Sequence, residues 1–159
     1  MTTAPTPPRQ LADNQLDTAW LDWMSDKHTR LKTFFSHDVP AMPPDHYAAA
    51  GLRTAEPALP TRFAASAEAA PGDEALTRFG CYLGEVFTEC VDGYWINEPF
   101  PNPAVPRAPV HFEYTDVRLC VHEHVVLALH HRTGSHWQDM HAVLSAQCTA
   151  WWESGRSTR

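Results

Sequence analysis

His122-Glu123-His124 is the tightest cluster of metal-competent side chains in the chain, and His111 and Glu113 precede it closely. Two imidazoles at i and i+2 share one face if they stand on a strand. With His111 and Glu113 on the polar face of the strand before, the set would hold zinc or iron. Metal-dependent chemistry would follow, with Glu113 or Glu123 as ligand or base. No HExxH accompanies the cluster, and a solvated polar sheet face accounts for the same residues without a metal. Nucleophile and phosphate-binding signatures (GxSxG, the P-loop, GxGxxG) are missing from the sequence. The four cysteines lack CxxC spacing and read as small, reduced, mostly buried side chains. His130, His131 and His136 read as surface or capping residues, and His141 as a core histidine.

Such side chains need elements to position them. At 159 residues the expectation is one domain with a real core. A hydrophobic content of 43% and six tryptophans place the chain among folded rather than disordered proteins. A net charge of −7 without a basic patch speaks against nucleic acid and favours a basic partner. Protonating the ten histidines would invert that sign in mild acid. The N-terminal sequence has no apolar leader and no stretch is long enough to span a bilayer, so the expected location is cytoplasmic.

Residues 1–12 carry Pro5, Pro7 and Pro8 and read as a flexible tail, as do residues 154–159; the domain is expected over 13–153. Asp13 or Asn14 would cap a helix over 15–36, with Leu16, Trp20, Trp23, Met24, Leu31, Phe34 and Phe35 at helical spacing. Asp45 would cap a short helix over 46–55. Thr61 to Ala70 reads as a weaker one, closed by Pro71-Gly72. Asp73 would cap a central helix over 74–91, stopped by Asp92-Gly93. Strands follow at 94–97, 110–115 and 117–121, separated by a proline-rich loop over 98–109. Segment 122–132 fits neither period well. Ser135 would cap a last helix over 136–152, with Trp137, Met140, Leu144, Cys148 and Trp151 as its apolar stripe. The fold class is therefore α+β: helices packed on a small, mainly antiparallel sheet.

In the central helix Leu76, Phe79, Leu83, Val86, Phe87 and Cys90 fall on one stripe. Gly80 and Gly84, one turn apart, each cost about 1 kcal/mol relative to alanine. Either another element packs closely there, such as the aromatic strand that follows, or a ligand touches bare backbone. Arg78, Tyr82, Glu85 and Glu89 lie opposite the stripe. They read as a solvated face or as an acidic contact for a partner.

The run Arg78-Phe79-Gly80-Cys81-Tyr82-Leu83-Gly84-Glu85-Val86, followed by Tyr94-Trp95, resembles a bacterial pattern in which a "YLGE-V" helix enters a Gly-Trp-type strand, found in small uncharacterised domains of the DUF3806-like sort. The resemblance covers the central helix and first strand. It implies the helix-to-strand order and no activity, and similar small domains occur as toxin-neutralising or accessory proteins. The expected function is non-enzymatic: an immunity-protein-like chain that binds a basic protein such as a bacterial toxin. The candidate contacts are Arg78, Tyr82, Glu85 and Glu89, with Glu98, Phe100 and Asn102 from the proline-rich loop. No cofactor is expected on this reading. The alternatives are the metal-dependent enzyme built on His111, His122, His124 and Glu113, and a subunit of a larger assembly held by exposed aromatics.

Overall fold

The computed structural model describes residues 13–63, 72–98 and 108–156. The proline-rich tail over 1–12, most of the segment from Thr61 to Ala70, and most of the loop over 98–109 lie outside the described residues.

The fold is α+β, with helices packed against a three-stranded antiparallel sheet. Helix α1, Thr18–Thr33, begins later than expected because Asp17 caps it, its carboxylate accepting from Trp20 N at 3.0 Å. Asp13 and Asn14 instead accept, through their carbonyls, from Leu16 N and Asp17 N in the turn before the helix. The helix widens into a π-type turn, Phe34–Asp38, which buries Phe34. Two short helices follow, α2 (Ala49–Ala55) and α3 (Ala58–Arg62).

Helix α4, Glu74–Cys90, is the centre of the molecule. Asp73 caps it as expected, accepting from Ala75 N at 2.8 Å and Leu76 N at 3.2 Å. Leu76, Phe79, Leu83, Val86 and Phe87 are buried, as their spacing predicts. Cys90 is not: it is exposed at the helix end. Burial also extends beyond the stripe, to Cys81 and Tyr82, because α1 covers one side and the sheet and later helices cover others. The left-handed residue that ends α4 is Asp92 (φ 52°), not Gly93. Gly93 opens the first strand, where a Cβ would meet Phe87 O at 2.7 Å and Val110 Cγ1 at 2.6 Å. Its glycine serves close approach rather than backbone handedness.

Strands β1 (Gly93–Trp95), β2 (Pro109–Phe112) and β3 (Thr115–Cys120) lie in the order β1-β2-β3. Tyr94 faces His111 across the first pair, and Val110 faces Leu119 across the second, with an irregularity between Val110 and Phe112. Pro109 stands at the start of the central strand, where a missing N–H is tolerated.

Segment 122–132 resolves as a helix: α5 spans Val121–His131 and ends on left-handed Arg132. Val121, Val125, Ala128 and Leu129 are its buried face, a helical spacing that the surrounding valines and histidines masked. The last helix, α6, spans His136–Glu153 and buries Trp137, Leu144, Cys148 and Trp151. Ser135 makes no side-chain cap there. Buried Glu56 does so instead, its Oε1 accepting from His136 N at 2.9 Å and its Oε2 from Trp137 N at 2.8 Å. A carboxylate at a helix N-terminus satisfies orphan donors and meets the positive end of the dipole.

The core is aromatic where the π-type turn after α1 meets α4. Phe34 stacks on Tyr82 at 4.6 Å and meets Phe79 edge-on at 5.0 Å. Among the described residues no helix is long and apolar enough to cross a membrane.

Candidate functional site

Of the four α4 residues proposed as partner contacts, three are engaged inside the protein. Tyr82 is fully buried and donates to His46 O at 2.7 Å. Burial pushes its phenol well above the ordinary tyrosine range. Arg78 grips Asp38 with two bonds, Nε to Oδ2 at 2.5 Å and Nη2 to Oδ1 at 3.0 Å. Burial alone would raise the Asp38 carboxyl, but the Arg78 bonds and charge outweigh it and hold the carboxyl below its ordinary value. Glu85 Oε1 accepts from Lys27 Nζ at 2.5 Å and from Trp95 Nε1 at 2.7 Å. The solvated-face expectation therefore fails for Arg78, Tyr82 and Glu85, because α1 and the π-type turn pack over that side of α4. Glu89 alone of the four is exposed.

Glu98 is also buried rather than offered to a partner, with its Oε1 2.6 Å from Arg118 Nη1 and its Oε2 3.4 Å from His111 Nε2. Phe100 and Asn102 lie outside the described residues.

The residues of the metal alternative are not brought together as a strand would bring them. His111 stands on β2 beside Glu98; burial lowers its pKa against the raising effect of that carboxylate. Glu113 is exposed in the turn between β2 and β3. His122 and His124 are on helix α5, where two residues of separation turn side chains roughly 200° apart. His122 lines a small cavity with Trp23, Gly80, Cys81 and Val121. His124 Nδ1 lies 3.1 Å from His136 Nε2 at the start of α6. Burial, helped by the neighbouring imidazole, lowers His124 to a pKa of about 4, so it is neutral at pH 7. Among the described residues no group of three His, Cys, Asp or Glu side chains is placed to hold a metal ion.

Among the described residues two open concavities stand out. One is polar. The end of α4 and the last turns of α6 enclose about 430 Å³ lined by Glu89, Cys90, Asp92, Cys148, Trp152 and Glu153, among others. Asp92 Oδ2 accepts from Trp152 Nε1. Arg156 lays its guanidinium on the Trp152 ring, 3.7 Å from the centroid. The Cys90 thiol, on an exposed residue, is raised by partial desolvation and by Glu89, and the buried Cys148 thiol by burial and by Asp92, so neither is activated as a nucleophile.

The other concavity is apolar. Between β3 and α6 a groove of about 390 Å³ is lined by Val117, Leu119, His124, His136, Asp139, Met140, Val143, Leu144 and Gln147. Sequence reasoning missed both. The polar cleft left one trace in the sequence, the adjacent tryptophans 151 and 152. Neighbours on a helix point about 100° apart, so one of the two had to leave the core. Trp151 is buried and Trp152 is half-exposed.

No family model, curated protein or solved structure matches this chain.

Proposed function

We infer that the chain is a non-enzymatic binding protein that engages a basic protein partner, in the manner of the immunity proteins that neutralise bacterial toxins, and that it acts in the cytoplasm. One observation carries this reading. Among the described residues the cleft beside Trp152 is lined by three carboxylates, Glu89, Asp92 and Glu153, and by no basic side chain, and the indole at its wall already bears a guanidinium. A partner's arginine would use the same chemistry, its cation over the aromatic face and its N–H groups toward the carboxylates. Displacing Arg156 would free the ring for it. The net charge of −7 would speed the approach of a basic surface and disfavour acidic ones. The surface is therefore not the α4 stripe but the far end of the same helix, with Glu89 common to both.

The test is a calorimetric titration with an arginine-rich peptide at low and moderate salt. Wild-type protein should bind with an affinity that falls as salt rises. The triple variant Glu89→Gln, Asp92→Asn, Glu153→Gln should bind roughly tenfold more weakly. A control that neutralises exposed Asp22, Asp26 and Asp116 should bind nearly as well as wild type. Equal weakening of both variants, or no binding at all, would defeat the reading.

A further inference from the structure

The groove between β3 and α6 plays no part in the cleft at Trp152. Its walls are aliphatic, and two of its side chains, Val117 and Val143, remain 49% and 58% exposed. A single exposed valine needs no explanation. Here two line a concavity together with Leu119, Met140 and Leu144. Its volume of about 390 Å³ lies in the range of small-molecule sites, and a mostly apolar lining with a few polar groups is their usual make-up.

The polar groups define the head of the ligand. His124 Nδ1 and His136 Nε2, 3.1 Å apart, share one hydrogen bond. Whichever ring donates, a neutral pair leaves one donor and one acceptor at its two outer nitrogens. Asp139 follows His136 by three residues on α6, so the two are neighbours on one helix face. Its Oδ2 receives a long bond from Ser135 Oγ at 3.4 Å. Among the described lining residues Asp139 is the one carboxylate, and no lysine or arginine is among them.

We propose that this groove binds a small amphiphilic amine, with the apolar body against Val117, Leu119, Met140 and Val143 and the ammonium at the Asp139 end. The ammonium has three N–H donors, which the Asp139 carboxylate can receive. A carboxylate head would face Asp139 with no cation among the described lining residues to offset it. An alcohol would fill the apolar walls but forgo the charge.

The experiment is a methyl-resolved NMR titration of the full chain with hexylamine, 1-hexanol and hexanoate, which share one apolar body. Hexylamine should shift the methyls of Val117, Val143 and Leu144 saturably and bind tightest, with hexanol about fivefold weaker and hexanoate weaker still. Asp139→Asn should bring the amine down to the alcohol and leave the alcohol unchanged. Val143→Lys, a change at an exposed position, should abolish both, and Val117→Lys should do the same. The proposal falls if hexanoate binds best, if the amine is indifferent to Asp139→Asn, or if the amine perturbs only the Trp152 indole. It also falls if the groove methyls shift with protein concentration alone, since a second copy of the chain would then be the occupant.

Discussion

The indole of Trp95 occupies the space in which a side chain at position 84 would stand. A Cβ built on Gly84 would come within 2.0 Å of two ring carbons of Trp95. That ring is held on its other sides: Trp23 meets it edge-on at 5.3 Å, and its Nε1 donates to Glu85. It has no easy retreat, so α4 and the first strand are in contact through bare backbone.

Gly84→Ala is accordingly expected to destabilise the protein by about 2–4 kcal/mol despite alanine's better helix propensity. Gly80 is the contrasting case. A Cβ there meets only Val121 Cγ2 at 3.5 Å, an ordinary contact. Gly80→Ala should be neutral or stabilising by up to about 1 kcal/mol. Urea denaturation of the two variants checks both signs, and a similar loss in each would refute the distinction.

Glu56 holds the start of α6 from far away in the sequence, accepting from His136 N and Trp137 N while itself buried. Glu56→Ala should cost about 2–3 kcal/mol, because two buried donors lose their partners. Glu56→Gln keeps one acceptor oxygen and should cost less. Amide exchange at residues 136 and 137 should quicken in the alanine variant before exchange elsewhere in the core does.

The Asp38–Arg78 pair is doubly hydrogen-bonded, and the Asp38 side chain has no solvent exposure. Asp38→Asn leaves a mostly buried guanidinium without its counter-charge and should lose about 2–3 kcal/mol. Because the folded-state pKa of Asp38 is depressed, its contribution is complete above the ordinary carboxylate pKa and disappears as pH falls through the depressed value. A double variant, Asp38→Asn with Arg78→Met, should recover part of the loss. A strictly additive result in denaturant would argue that the two side chains are not coupled.

His124 works in the same direction at milder pH. Its pKa of about 4 lies below the ordinary histidine value of 6.5, so the folded protein resists taking up a proton that the unfolded chain accepts. Stability should be full above pH 6.5 and decline toward pH 4, with His124 accounting for on the order of 2 kcal/mol. His111 and His141, both lowered by burial, add to the slope in the same sense. His124→Gln should flatten the stability–pH profile between pH 6 and 4.5. An unchanged slope would mean that His124 is not what titrates.

Much of the fold was legible because it is written in local period and caps. The stripe of α4, the cap at Asp73, the alternation of Val110 and Phe112, and the α+β order follow from side-chain spacing, which neighbours in sequence determine. Segment 122–132 was not legible, since β-branched residues and histidines suit either element until packing of Val121, Val125, Ala128 and Leu129 selects the helix.

Function was less legible still. The sequence by itself determined the acidic charge, the aromatic wealth and the central helix with its two glycines. Only the tertiary structure decided which polar residues are free. Tyr82, Arg78, Glu85 and Glu98 look like surface on a helical wheel or in a proline-rich loop, yet His46, Asp38, Lys27 and Arg118 reach them from distant elements and bind them inside. The open cleft at Trp152 arises where the ends of α4 and α6 converge. Burial of a polar group requires a partner, and when that partner lies dozens of residues away only the folded chain reveals the pairing.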